Sequence, residues 1–175
     1  FYIQGNGLSA SARRTVDIMR RKGHEVRILS GPNLDASGPQ PDYPLKRLYF
    51  PFFPPLIDAN GFQFAVSDRA VMREAMEWAD VVHLEEAFII QIIAANMARR
   101  MGKPLTATYH LHPENILCNF GMGSIRLPND VLLSAWSDWV FNKCSHLQAP
   151  TVNVARRLKI HRFKSQVRVI SNGLV

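Results

Sequence analysis

Short apolar runs and amphipathic stretches take turns along this chain, and that alternation limits its fold more than any other feature. The runs "HEVRILS" (24–30), "KRLYF" (46–50), "DVVHL" (80–84), "PLTATYH" (104–110), "HLQAP" (146–150) and "QVRVIS" (166–171) read as strands. Helical patterns lie between them. "LSASARRTVDIMRRK" places Leu8, Ala12, Thr15, Val16 and Met19 on one face, and Gly23 follows as a closing residue. "AVSDRAVMREAMEWA" gathers Val71, Met72, Ala75 and Trp78, with Ser67 as its predicted N-cap. "AFIIQIIAANMARRM" is apolar nearly all round, which predicts a well-buried helix ending at Gly102. "PNDVLLSAWSDWVFNKC" carries Pro128 near its start, and "TVNVARRLKI" begins at Thr151, a good cap. Strands alternating with helices predict a parallel sheet, and right-handed crossovers make it doubly wound and Rossmann-like, with helices on both faces.

Two regions depart from the alternation. Residues 31–61 form one long irregular segment whose part "FPFFPPLIDANGF" is rich in aromatics and proline. A loop of that length is usually functional or mobile. The opening "FYIQGNGLSASARR" reads as the end of a strand, a glycine turn and a helix, so the first strand is expected to be largely missing. With the abrupt close "VRVISNGLV", it suggests part of a longer protein.

The chain has 175 residues, 47% of them apolar and 20% charged, ordinary values for a globular domain. Its net charge of +7 suits nucleic acid, an anionic membrane or a phosphorylated ligand. The cations cluster near helices, where solvated helix faces are the plain explanation, and the densest group spans 156–168. They are not interleaved with aromatics, and no nucleic-acid-binding motif appears, so nucleic acid is not an expected partner. Cys118 and Cys144 lie too far apart for a metal-ligand spacing and are too few for a disulfide framework. A reducing, cytoplasmic setting follows as the expectation. There is no signal peptide and no apolar run approaching a membrane span.

In open parallel sheets, ligands bind beyond the carboxyl ends of the strands. The residues expected there are Gly5, Asn6 and Gly7; Glu85 and Glu86; His110, His112, Glu114 and Asn115; Thr151; and Asn172 with Gly173. Gly5 and Gly7 precede a helix, where backbone N–H groups can meet an anion, although a plain tight turn uses the same residues. The third glycine of the dinucleotide fingerprint is missing, and "RILSGPN" has no acidic residue at its strand end, which disfavours a nicotinamide enzyme. Glu85 and Glu86 are either a working carboxylate pair or acidic residues in a helix's first turn. His110, His112 and Glu114 alternate, but Pro113 interrupts the strand and no further ligand group is evident, so no metal is expected. His112 reads as a satisfied structural histidine. His110 reads as the last residue of a central strand, facing a cleft, able to bind a hydroxyl or phosphate.

The ordered set "FYIQGNG", "GHEVRILS", "ADVVHLEE", "ANMARRMGKPLTATYHLHPEN", "CSHLQAPTVNVARRL" and "VRVISNG" resembles the N-terminal domain of retaining glycosyltransferases of the GT-B fold, in glycosyltransferase family 4. The resemblance covers almost the whole chain. It implies that residues 1–175 are the acceptor-side half of a two-domain enzyme whose C-terminal nucleotide-sugar domain is not in this chain. It further implies a UDP- or GDP-linked sugar donor, transfer with retention of configuration, and no metal or other cofactor. The departing phosphate would help to deprotonate the acceptor hydroxyl. By position, Gly5 and Gly7 match the glycine loop near the donor phosphates, His110 matches the family's strand-closing catalytic histidine, and Glu85 lies on the acceptor side.

The expected partners are a sugar or lipid acceptor, the protein's own C-terminal domain and an anionic membrane surface, the last on the cytoplasmic face. This half alone should be inactive. Two other readings stand beside it: a GT-B-fold sugar-nucleotide epimerase working through its carboxylates, and a basic peripheral membrane-binding module using the 49–64 loop and the 156–168 segment.

Overall fold

The computed structural model describes residues 1–3, 6–48, 64–118, 122–161 and 163–172. They form two compact units, Phe1–Trp78 and Ala79–Val175. The first contains helix α1 (Gly7–Arg21), the short strands β1 (Leu29–Ser30) and β2 (Tyr43–Pro44), and helix α2 (Arg69–Trp78). Asn6 starts α1: its side-chain oxygen accepts from the N–H groups of Leu8 at 3.0 Å and Ser9 at 3.2 Å, satisfying donors that a helix leaves open. Gly23 closes the helix at φ 88°, a backbone region only glycine enters cheaply.

The buried face of α1 is Ser9, Ser11 and Ala12; of the expected stripe from Leu8 to Met19 only Ala12 is buried, and Met19 is exposed. The covered side carries small residues, which allow close approach, and the long apolar side chains stand outside it. The predicted 24–30 strand shortens to Leu29–Ser30, because its parallel partner β2 offers only Tyr43 and Pro44. Upstream, the Ile28 N–H donates to the Asp42 side chain instead. The 46–50 strand does not form over its described part: Arg47 makes an isolated antiparallel bridge to Ala65. The cap of α2 is Asp68 rather than Ser67, since the Asp68 carboxylate accepts from the Ala70 and Val71 N–H groups. Met72 and Met76, four apart, are the buried stripe. The aromatic and proline-rich stretch at 50–62 lies outside the described residues.

The second unit is a four-stranded sheet in the order β3-β4-β5-β6, all parallel: Val82–Leu84, Leu105–Thr108, His146–Ala149 and Gln166–Val169. The connections are α3 (Ile89–Arg100), α4 (Pro113–Leu117) with α5 (Arg126–Trp139), and α6 (Val152–Ile160). Because the strand order advances in one direction, right-handed crossovers bring α3, α5 and α6 to the same face. Register confirms the division. Leu84, Ala107 and Leu147 are paired neighbours and all buried; His83, Thr106 and His146 are paired neighbours on the other face. The α/β, Rossmann-like class expected from the alternation is the one this chain adopts.

Local chemistry explains the helix ends. α3 closes at Gly102, φ 69°. It is less buried than its composition predicts: only Ala94, Ala95 and Ala98 are covered, while Ile89 is 68% exposed. The alanine side is what the sheet accepts, so the isoleucines are pushed to its flanks. Pro113 is the first residue of α4 and Pro128 sits in the first turn of α5, where a missing N–H costs little. The Thr151 hydroxyl caps α6 by accepting from the Val154 N–H at 3.2 Å.

Leu133, Val140, Leu147 and Leu158 are fully buried, beside an aromatic cluster of Tyr109, Phe141 and Phe163 with ring centres 5.6–6.4 Å apart. Among the described residues, no helix is long and apolar enough to cross a membrane. One acid breaks the apolar pattern. Glu86, after β3, is 4% exposed, and its Oε1 has no hydrogen-bond partner. Burial, then the neighbouring Glu85 charge, push its carboxyl well above the usual range, against a smaller opposing effect of the Ala87 N–H.

Two outcomes follow. Leu147→Ala should cost about 2–5 kcal/mol of unfolding free energy, read as a lower urea midpoint; a loss below about 1 kcal/mol would mean that β5 is not core. Glu86 has a folded pKa above its unfolded one, so its stabilising contribution is complete below pH 4.5 and fades as pH rises toward the raised value. Glu86→Gln should therefore be more stable than the native protein at neutral pH, with the gap closing as pH falls to about 4.5. A gap that does not change with pH would show that Glu86 does not titrate in this way.

Candidate functional site

The polar face of the sheet becomes a connected network at its carboxyl end. His83 on β3 reaches across to β4, with Nδ1 2.8 Å from Thr106 Oγ1 and Nε2 2.9 Å from Thr108 Oγ1. One ring nitrogen donates and the other accepts, so both hydroxyls are used by a neutral ring. Desolvation lowers the pKa of His83 and favours that form; Glu85 pulls the other way, and His110 adds to the lowering.

Beyond the strand ends, His110 Nε2 stands 2.8 Å from Glu85 Oε2, and His110 Nδ1 stands 3.3 Å from Asn172 Nδ2. A neutral ring fits this set in one way: Nε2–H donates to the carboxylate, and Nδ1 accepts from the Asn172 amide. His110 is not the last strand residue but lies two places past β4. Its side chain is 6% exposed, so it is enclosed rather than open to a cleft. Glu85 is the more open member at 24%; its second oxygen, Oε1, is 3.7 Å from His83 Nε2. Neither Glu85 nor Glu86 occupies a helix first turn, since α3 begins only at Ile89.

His112, Glu114 and Arg157 form a separate cluster. Arg157 Nη2 donates to Glu114 Oε1 at 2.5 Å, while Arg157 Nη1 and the Tyr109 hydroxyl each lie 3.4 Å from His112 Nδ1. Desolvation and the Arg157 charge lower the pKa of His112, outweighing the pull of Glu114. Burial tends to raise the Glu114 carboxyl, but the Arg157 hydrogen bond and charge, with smaller contributions from its own N–H and His112, hold it below the usual range. His112 is thus held between Tyr109 and Arg157, and Glu114 is tied to α6 rather than joined to His110.

The other expected residues divide. Asn172 joins the His110 network. The side chains of Asn6 and Thr151 are helix caps. Gly7 is the exposed first residue of α1, and Asn115 is exposed on α4. Glu86 faces inward. Gly5 and Gly173 lie outside the described residues. Among the described residues no group of three or more His, Cys, Asp or Glu side chains is arranged to hold a metal, and Cys118 and Cys144 are both free. Burial pushes the Cys144 thiol up to about 12, which makes it inert.

Sequence reasoning did not single out His83, Thr106, Thr108 or Arg157 as partners. A signal for the first three was present: in "DVVHL" and "PLTATYH" they fall on the alternate positions that oppose the apolar ones. Arg157 had no such signal, since it sits in a run of cations.

Compared with known families, the sequence matches the model of Glycosyltransferase Family 4 over residues 5–174. No curated protein and no solved structure matches the chain. The match spans nearly the whole sequence and agrees with the parallel α/β architecture, and on that ground the chain belongs to glycosyltransferase family 4.

Proposed function

We propose that this chain is the acceptor-side half of an enzyme that moves a sugar from a UDP- or GDP-linked donor to an acceptor hydroxyl with retention of configuration. The observation that carries the reading, beside family membership, is the hydrogen-bonded His110–Glu85 pair beyond the ends of β3 and β4, with Asn172 following β6. That end of a parallel sheet is where ligands bind. A carboxylate held in place by an imidazole there suits a hydroxyl group, which can donate to it.

In this reading the donor is held mostly by a second domain, Gly5, Asn6 and Gly7 meet its phosphates, and the half described here does not turn over alone. Charge on the departing phosphate is offset by oriented backbone donors, and that phosphate helps to take the acceptor proton. No metal or other cofactor takes part.

The enzyme works in the cytoplasm, at the cytoplasmic face of an anionic membrane. The support is α6 and the strand after it. Residues 151–171 contain no acidic side chain, and Arg156, Lys159, Lys164 and Arg168 are exposed alongside Val152 and Ile160. The aromatic half of the expected membrane contact lies outside the described residues.

His110→Ala in the full-length protein should lower sugar transfer at least about tenfold, equivalent to about 1.4 kcal/mol, in a donor-consumption assay with product analysis. Undiminished transfer would remove His110 from the site, and an epimerised donor without glycosylated product would favour the epimerase. The full-length protein should sediment with anionic vesicles at low salt and be released at high salt. Failure to bind at low salt would end the membrane assignment.

A further inference from the structure

The His110 network contains an imbalance that assigns roles within it. Both nitrogens of His110 are engaged, by Glu85 Oε2 at 2.8 Å and Asn172 Nδ2 at 3.3 Å, and the ring is almost fully enclosed. To bond a substrate directly, the ring would have to release one of these partners and leave a shielded polar atom unmatched. Glu85 is different. Its Oε2 is held by His110, but its Oε1 makes no hydrogen bond to a described residue: at 3.7 Å His83 Nε2 is beyond reach and already committed to Thr108. Glu85 is also four times as exposed as the histidine.

We propose that Glu85 is the group that meets the acceptor, taking the hydroxyl's hydrogen bond on Oε1, and that His110 is a positioning residue that works through Glu85. The proposal rests on the glycosyltransferase reading and deepens it by reversing the order of the pair. The carboxylate does not remove the proton. It accepts a charge-assisted hydrogen bond, which turns an oxygen lone pair of the hydroxyl toward the reacting carbon. The acceptor class is an alcohol, as presented by a sugar or polyol headgroup.

The rest of the network keeps that carboxylate still. The Nε2–H of His110 fixes one oxygen. The Asn172 amide, donating to Nδ1, selects the tautomer that carries the proton on Nε2. His83, locked between two threonine hydroxyls, walls the flank nearest Oε1. The neighbouring acid, Glu86, turns inward and has no place in the chain of contacts.

Two measurements on the full-length protein test this. Nitrogen NMR on the native protein, at a pH where imidazoles are neutral, should find the His110 proton on Nε2; a proton on Nδ1 overturns the proposal. Steady-state kinetics should show Glu85→Gln raising the acceptor KM or lowering kcat while the donor KM holds. His110→Ala should cost at least about tenfold in the native background but less than about twofold in the Glu85→Gln background. Independent losses that multiply would mean that the histidine meets substrate itself, and would overturn the proposal alone. Absence of sugar transfer by the native protein would overturn the glycosyltransferase reading and, with it, the role of Glu85.

Discussion

Parallel pairing in register is the constraint on which this molecule depends. Once Val82, His83 and Leu84 sit opposite Leu105, Thr106 and Ala107, every second side chain is committed to one face. One face then becomes the apolar floor for α3, α5 and α6. The other gathers His83, Thr106 and Thr108 without any further instruction. A slip of β3 by one residue would bury the histidine and expose Leu84. Stability and site chemistry therefore come from the same register, read from opposite sides of the sheet.

The site uses that geometry economically. Polar groups leaving the sheet edge are satisfied by one another: threonines by His83, His110 by a carboxylate and an amide, His112 by an arginine and a phenol. Such networks hold their members in a single arrangement, because each hydrogen bond fixes what its neighbour can do. Among the described residues Glu86 departs from this pattern: its buried carboxyl, with Oε1 unmatched, is a standing cost beside the His110–Glu85 pair, and Glu114 likewise leaves Oε2 unmatched.

Much of the architecture was legible from the sequence because it depends on period. Strand and helix patterns, glycines at 23 and 102, Thr151 as a cap and proline in the first turn of α5 all follow from local rules, whereas Pro113, read as the end of a strand, opens α4. Extents were less legible. Nothing in "HEVRILS" says that its partner strand offers only two residues. "AFIIQIIAANMARRM" looks wholly buried because composition cannot show that the alanines, not the isoleucines, meet the sheet. In the site, position in the fold singled out His110, Glu85 and Asn172, but their contacts depend on side-chain direction across strands. Asn6 looked like a ligand for the same reason that it makes a good cap: one short side chain with an accepting oxygen serves both. Arg157 was hidden among cations until its partner was known.

That arginine has a mechanical consequence. A helix of five residues such as α4 has almost no order of its own, because nucleating a single turn costs more than so few backbone bonds return. Its N-terminal cap position is His112 and its second residue is Glu114, and the same guanidinium reaches both. The shape of the segment leaving His110 is therefore borrowed from α6, some forty positions downstream, and the two parts of the chain rise or fall as one body.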